Sequence, residues 1–151
     1  MDVKIDLERD LIAFETPGAV HLQITVTAPV LERPAGRKPL NLAVVLDRSG
    51  SMAGDKLSHA LQAISLLIEQ LAADDIFSLV AFDTSARVVV PAGPVQDKSA
   101  IKELVRQITP GSSTDLSAGW FLGVSEAKTR AGPDRVTRVL LLTDGQANAG
   151  I

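Results

Sequence analysis

The hydrophobic positions of residues 1–39 recur at every second position along two short runs. The apolar members of the first run are Val3, Ile5 and Leu7, and those of the second are Val20, Leu22, Ile24 and Val26. Alternation with period two is typical of strands that bury one face and expose the other. Pro17 and Gly18 indicate a turn between the runs, and the prolines of 29–39 indicate a stiff linker. We therefore expect residues 1–39 to form a small antiparallel β segment, separate from the sheet that follows.

From residue 40 to residue 151 the pattern changes to continuous apolar runs that alternate with helical periodicity. The apolar runs cover 42–46, 76–82 and 138–143, and a further short run covers 86–90. Continuous apolar runs are typical of strands buried on both faces, as in a parallel sheet, and we expect 86–90 to return beside 76–82. Apolar spacings of three and four residues predict helices over 57–71, 101–108 and 116–128, the second capped by Asp97 or Ser99.

Strands that alternate with helices of this length predict an α/β fold. We expect a doubly wound, Rossmann-like and mainly parallel sheet with helices on both faces, preceded by the small antiparallel β segment.

Two of the predicted buried strands end directly in an aspartate. Asp47 follows the run 42–46, and Asp144 follows the run 138–143. Open α/β sheets bind ligands at the carboxyl ends of their strands, where the strand order reverses. If the two strands are neighbours, the two carboxylates therefore share one pocket.

Hydroxyl side chains accompany these carboxylates. Ser49 and Ser51 lie two and four residues after Asp47, and a second hydroxyl cluster at 112–114 precedes the third predicted helix. These residues supply carboxylate and hydroxyl oxygens without imidazole or thiolate groups. Oxygen ligands suit hard cations such as Mg²⁺, Mn²⁺ or Ca²⁺, and on this chemistry we do not expect zinc.

The segment 46–52 resembles the D-x-S-x-S motif of von Willebrand factor type A domains. Thr114 resembles the conserved threonine of that family, and 143–145 resembles its second aspartate motif. The resemblance extends from about residue 40 to the end of the sequence, with the three motifs in the family order. It implies a metal-ion-dependent adhesion site.

In that site, Ser49, Ser51 and Thr114 would bind Mg²⁺, or Mn²⁺ or Ca²⁺, through their hydroxyls. Asp47 and Asp144 would act largely through bound water. One coordination position would stay open for a Glu or Asp of a protein partner. The resemblance therefore implies a cation-dependent binding module and not an enzyme.

The same resemblance implies a sheet of about six strands, so we expect 40–151 to be a C-terminally incomplete domain. The strand before Asp144 would then lie at the edge of the sheet, where unpaired backbone groups favour strand pairing. We therefore expect one of three situations: the chain is a fragment, it is half of a split domain completed in trans, or it forms a homodimer through this edge. Residues 1–39 resemble the first part of a small β-sandwich found in some bacterial relatives.

Other interpretations remain for the same residues. Asp47 and Asp144 could simply cap helices or turns. Asp115 is expected to be a loop or N-cap residue, with the orientation of a metal-bound water as its alternative role. Trp120 is expected in the core, His21 and His59 at the surface, and Arg48 in solvent or at the partner. Two other functions stay open, namely a Mg²⁺-dependent phosphatase-like hydrolase with Asp47 as nucleophile and a scaffold with a vestigial metal site. Ser49 weakens the hydrolase hypothesis, because that class usually has a second carboxylate at this position.

The composition bears on which classes of partner and which cellular location fit this chain. The net charge is −3 and aromatic residues make up 3% of the chain, which disfavours nucleic-acid binding by a basic stripe or by base stacking. No apolar run reaches the roughly 18 residues of a membrane span. The chain has no cysteine, and its start lacks a signal-peptide pattern. These features favour a cytoplasmic location and leave an exported or surface location open.

Overall fold

In the computed structural model, which describes residues 2–7, 22–27 and 37–146, the first alternating runs form a two-stranded antiparallel sheet. Strand β1 (Asp2–Leu7) pairs with β2 (Leu22–Thr27). The small antiparallel segment predicted from the sequence is confirmed. The contacts divide the chain into two units, 1–37 and 38–151.

The apolar face of this small sheet is exposed, contrary to the expectation of one buried face. Val3 and Ile5 are 52% and 62% exposed, and Leu22 and Ile24 are 56% and 58% exposed. A two-stranded sheet has no second layer of its own. The alternating apolar pattern therefore located the two strands correctly, but it did not show whether their apolar face is buried.

The second unit is built on a four-stranded sheet. Its strands are β3 (Leu40–Asp47), β4 (Ile76–Phe82), β5 (Ala86–Pro94) and β6 (Val136–Leu142). The spatial order is β5-β4-β3-β6. Strand β3 is parallel to both β4 and β6, and β5 returns antiparallel to β4. The chain thus leaves β3 to one side for β4 and later returns to its other side for β6.

Helices cover both faces of this sheet, which confirms the predicted α/β class. They are α1 (Asp55–Gln70), α2 (Lys98–Arg106) and α3 (Leu116–Thr129), and a 3₁₀ turn covers Gly50–Met52. On one face, alternate residues of β3 such as Val44 pack with Ile64 and Ile68 of α1 and Val105 of α2. Helix α3 contacts all four strands from the other face. In the described part of the chain, no helix is long and apolar enough to cross a membrane.

Small residues let α3 lie close to the sheet. Gly119, Gly123 and Ala127 form its buried face. A Cβ at Gly123 would lie 2.1 Å from Cγ2 of Val45. Because this stripe fills the face toward the sheet, Trp120 lies beside it and is 42% exposed. The prediction that Trp120 belongs to the core is therefore wrong.

Strand β6 is only partly buried, although its sequence predicted a strand covered on both faces. Leu140 is 38% exposed, and none of the residues of β6 is fully buried. Among the described strands β6 is an outer one, with β3 as its neighbour. Its position therefore agrees with the edge predicted from the resemblance, and that position explains its exposure.

Candidate metal site at the carboxyl ends of β3 and β6

The parallel register brings the two predicted aspartates to the same end of the sheet. Leu46 of β3 pairs with Leu142 of β6, so the residues that follow these strands emerge side by side. Strand order reverses at β3, because its two neighbours are reached in opposite directions. The site therefore lies where open α/β sheets bind their ligands.

Asp47 is completely buried and ties the two strand ends together. Its Oδ1 accepts the backbone N–H of Ser49 at 2.8 Å, and its Oδ2 accepts the Thr143 hydroxyl at 2.7 Å. The sequence assigned Asp47 to the site but gave Thr143 no separate role. Thr143 provides the bond that fixes the Asp144 loop against the first motif.

The two serine hydroxyls and Asp144 form a continuous oxygen cluster. Ser49 Oγ lies 3.1 Å from Ser51 Oγ, and Ser51 Oγ donates to Asp144 Oδ1 at 3.2 Å. Adjacent ligands of an octahedral Mg²⁺ lie about 2.9 Å apart, given metal–oxygen distances of 2.0–2.1 Å. The two serine hydroxyls therefore fit neighbouring corners of such a coordination sphere after small adjustments, and Asp144 Oδ1 lies next to them.

Thr114 enters the same region on a loop that is bonded to the first motif. The N–H of Gly50 donates to the carbonyl of Ser112 at 2.7 Å, and the N–H of Gly111 donates to the carbonyl of Arg48 at 2.6 Å. Thr114 itself is 1% exposed. Asp115 accepts the N–H of Ala118 at 3.0 Å, which confirms it as the N-cap of α3. This bond, with a second from the Ser117 hydroxyl, lowers the pKa of Asp115.

Arg48 neither points into solvent nor is free to contact a partner. Its Nη2 pairs with Asp83 Oδ2 at 2.5 Å, and its Nη1 donates to the carbonyl of Thr109 at 3.0 Å. The two paired side chains are only 18% and 11% exposed. The expectation for Arg48 is thus wrong, because the Asp83 carboxylate holds it. This pair joins the loops after β3 and β4 to the loop before α3.

Asp83 and Lys56 are the members of the site that the sequence prediction missed. Asp83 directly follows the buried strand β4, as Asp47 follows β3, and that shared signal could have identified it. Lys56 donates to Asp144 Oδ2 at 2.7 Å and to the Ser51 carbonyl at 3.1 Å. The Lys56 bond is the largest cause that lowers the pKa of Asp144, and the backbone N–H of Gln146 adds to it, while burial opposes both.

The described residues offer few other side chains that could bind a metal. His59 is exposed, as predicted, and His21 lies outside the described residues. Among the residues that the structure describes, no three His, Cys, Asp or Glu side chains form a metal-binding group. A cation at the strand ends would therefore depend on the serine and threonine hydroxyls.

A family model for the von Willebrand factor type A domain matches residues 42–146, a range that contains all five candidate ligands. The chain belongs to the von Willebrand factor type A domain family. The resemblance seen in the three motifs is thus confirmed. Curated relatives include the protein sll0103 of Synechocystis sp., which is 39% identical over 114 residues, 76% of this chain and 27% of that protein.

Mammalian relatives of this type A domain chain include the inter-alpha-trypsin inhibitor heavy chain H3 of Mus musculus. It is 31% identical over 121 residues, which are 74% of this chain and 14% of that protein. The chain therefore spans less than a third of the length of either curated relative.

Solved type A domains share the fold at lower sequence identity. The von Willebrand factor domain of the pilus tip protein Mfa5 of Porphyromonas gingivalis has a TM-score of 0.65 and 20% identity, covering 75% of this chain and 40% of that one. Proximal thread matrix protein 1 of the mussel byssus has a TM-score of 0.64 and 21% identity, over 75% of this chain and 33% of that one. In the mussel protein zinc occupies the metal-ion-dependent adhesion site.

Proposed function

We propose that this chain is a divalent-cation-dependent protein-binding module that grips an acidic side chain of its partner. The observation that carries the proposal is the oxygen cluster of Ser49, Ser51 and Asp144, with spacings of 3.1 and 3.2 Å. In this proposal Ser49, Ser51 and Thr114 bind the cation directly, and Asp47 and Asp144 support it through water. Type A domains mediate protein–protein interaction, which supports the assignment.

The proposed preference for an acidic partner follows from charge. The three proposed direct ligands are neutral hydroxyls, and Asp144 already pairs with Lys56. A divalent cation held by such ligands keeps part of its positive charge. A Glu or Asp of a partner would complete both the charge balance and the coordination sphere.

The proposed cation is Mg²⁺, with Mn²⁺ and Ca²⁺ as alternatives of the same hard type. Zinc joins the set to be tested because it occupies the site of the mussel relative.

Binding accounts for the environment of Asp47 better than hydrolysis does. A nucleophilic aspartate needs a carboxylate oxygen that can reach the substrate. Both oxygens of Asp47 are instead engaged, by the Ser49 N–H and the Thr143 hydroxyl, and the residue is completely buried. These contacts favour a role in positioning the loops and their ligands.

The test is a calorimetric titration of Mg²⁺, Mn²⁺ and Zn²⁺ into metal-free protein. Ser51→Ala removes a proposed ligand, and Ser58→Ala removes an exposed hydroxyl of α1 as its matched control. We expect saturable binding by wild type and Ser58→Ala. Ser51→Ala should weaken it by about 10-fold or more, the scale on which metal sites respond to loss of supporting groups.

Circular dichroism of each variant verifies that the sheet is intact. A folded wild-type protein without saturable binding would contradict the proposal, and so would Ser51→Ala binding as tightly as wild type. Glutamate or an acidic peptide added to the metal-loaded protein then tests the partner chemistry.

A further inference from the structure

Lys56 lies in the first turn of α1 and reaches back to the candidate metal site. Its Nζ contacts Asp144 Oδ2 at 2.7 Å and the carbonyl of Ser51 at 3.1 Å. Both acceptors belong to residues that the proposed function assigns to the cation. The ammonium group is thus placed on the same oxygen-lined side of the site that would receive a metal.

The two side chains of this ion pair differ in solvent exposure and in the number of other contacts that hold them. The side chain of Asp144 is 11% exposed, whereas that of Lys56 is 53% exposed. Asp144 is further fixed by the hydroxyl of Ser51 and the N–H of Gln146. The flexible, half-exposed lysine can therefore leave the carboxylate with little disturbance, while the carboxylate stays in place.

The nearby arginine cannot replace Lys56. Arg48 is committed to Asp83 and to the carbonyl of Thr109. Without Lys56, the carboxylate of Asp144 would lose the positive charge that contacts it. Lys56 therefore acts as the counterion of Asp144 in the metal-free protein.

We propose that Lys56 is a resident counterion that competes with the divalent cation for Asp144 and so limits the metal affinity of the site. This inference rests on the proposed function. A divalent cation near Asp144 either displaces the ammonium group or is repelled by it at close range, and both events cost binding free energy. The site would then bind its cation tightly only when the partner's acid adds a further negative charge.

The decisive variant is Lys56→Gln, which removes the charge and keeps a polar side chain of similar length. Lys102→Gln is the matched control, since Lys102 pairs with Glu69 between α2 and α1 and makes the same change in net charge. Lys56→Arg keeps the positive charge. Mg²⁺ affinity of the four proteins is measured by calorimetry at low ionic strength.

We expect Lys56→Gln to bind Mg²⁺ roughly tenfold more tightly than wild type, from the Coulomb repulsion it relieves. Lys102→Gln and Lys56→Arg should stay close to wild type. In the absence of metal, Lys56→Gln should also have a lower Tm than wild type, because Asp144 loses its counterion. Saturating Mg²⁺ should then raise the Tm of Lys56→Gln more than that of wild type.

Each other outcome has a separate meaning. Equal or weaker Mg²⁺ binding by Lys56→Gln, with wild type binding normally, would overturn the competition and leave the proposed function standing. Absence of binding by all four folded proteins would overturn the proposed function and this inference together.

Discussion

Asp75, which immediately precedes β4, is a buried carboxylate whose two oxygens both hold backbone groups. Its Oδ1 accepts the N–H of Leu40 at 2.7 Å, and its Oδ2 accepts the N–H of Ala72 at 2.8 Å. Its carbonyl also accepts the N–H of Val95 at 3.0 Å. One residue therefore connects the start of β3, the turn after α1 and the end of β5.

Asp75→Asn should lower the free energy of unfolding by about 1–3 kcal/mol, because an amide NH₂ would replace one acceptor and leave a buried N–H without its bond. Urea unfolding measures the change. Asp74→Asn is the control, since Asp74 is the exposed neighbour and loses the same charge. Equal losses of unfolding free energy in the two variants would show that the charge of Asp75, and not its two hydrogen bonds, stabilises the fold.

The proximity of the candidate site residues was predictable where a sequence motif marks them. Asp47 and Asp144 stand at strand ends, Ser49 and Ser51 follow at fixed spacing, and the fold places these four together. Lys56 was not predictable, because its contact with Asp144 spans 88 positions and depends on how α1 is oriented over the strand ends. Such an orientation is set by tertiary packing and not by local pattern.

At the scale of elements, helix α3 packs closely against the sheet because glycines, and not large side chains, form its buried face. A Cβ added at Gly119 would lie 2.5 Å from the ring of Phe82, and one at Gly123 would lie 2.1 Å from a methyl group of Val45. Both strand residues are completely buried, so neither can move aside freely. The distance between α3 and the sheet is therefore fixed by the absence of these two side chains.

Gly123→Ala should destabilise the protein by about 1–3 kcal/mol through overpacking, even though alanine favours a helix by roughly 1 kcal/mol over glycine. Thermal or urea unfolding gives the value. The control is Gly132→Ala, where an added Cβ would meet nothing within 4 Å. A stabilised Gly123→Ala protein would mean that the helix can shift outward without loss of packing.

The existence and order of the elements were predictable from periodicity, and so was the Asp97 cap, which accepts the N–H of Ala100 at 2.9 Å. The face of α3 that packs against the sheet was not predictable from periodicity. Trp120 has the helical spacing of a core residue, but the glycine stripe beside it gives the closer approach. Hydrophobicity alone favours the large residue at the buried face, whereas the close approach of α3 to the sheet favours the small ones.

At the scale of the whole molecule, the two outer strands of the described sheet differ in character. Strand β5 returns as an antiparallel hairpin partner of β4, whereas β6 is a parallel strand with an apolar sequence. We propose that β6 pairs with a further strand, either from the rest of a longer protein or from a second copy. As an outer strand of the described sheet with β3 as its neighbour, β6 presents backbone groups on its other edge that a further strand could pair with, which supports this proposal.

Leu140→Lys should reduce self-association through β6, since a lysine on an outer strand opposes strand pairing. Sedimentation velocity over a range of protein concentrations measures the effect. Val88→Lys on β5 is the matched control, because Val88 is 37% and Leu140 38% exposed. A wild-type chain that stays monomeric at every concentration would contradict pairing between copies.

The fold class was predictable because the alternation of apolar runs and amphipathic segments extends over the whole second unit. The burial of β6 and of the small N-terminal sheet was not predictable. Both depend on which surfaces pack against them, and an apolar sequence reports only a tendency to be covered. The same limit explains why the strands of 1–39 were located correctly while their exposed apolar faces were not.

The bond between Asp47 and Thr143 joins residues that are 96 positions apart, which has a consequence for the time at which the site can appear. At synthesis rates of 5–20 residues per second, Asp47 emerges roughly 5–20 s before its hydroxyl partner. Throughout that interval the first motif exists without the second. The nascent chain would thus carry the first motif for that whole interval before the bond that fixes it to the Asp144 loop could form.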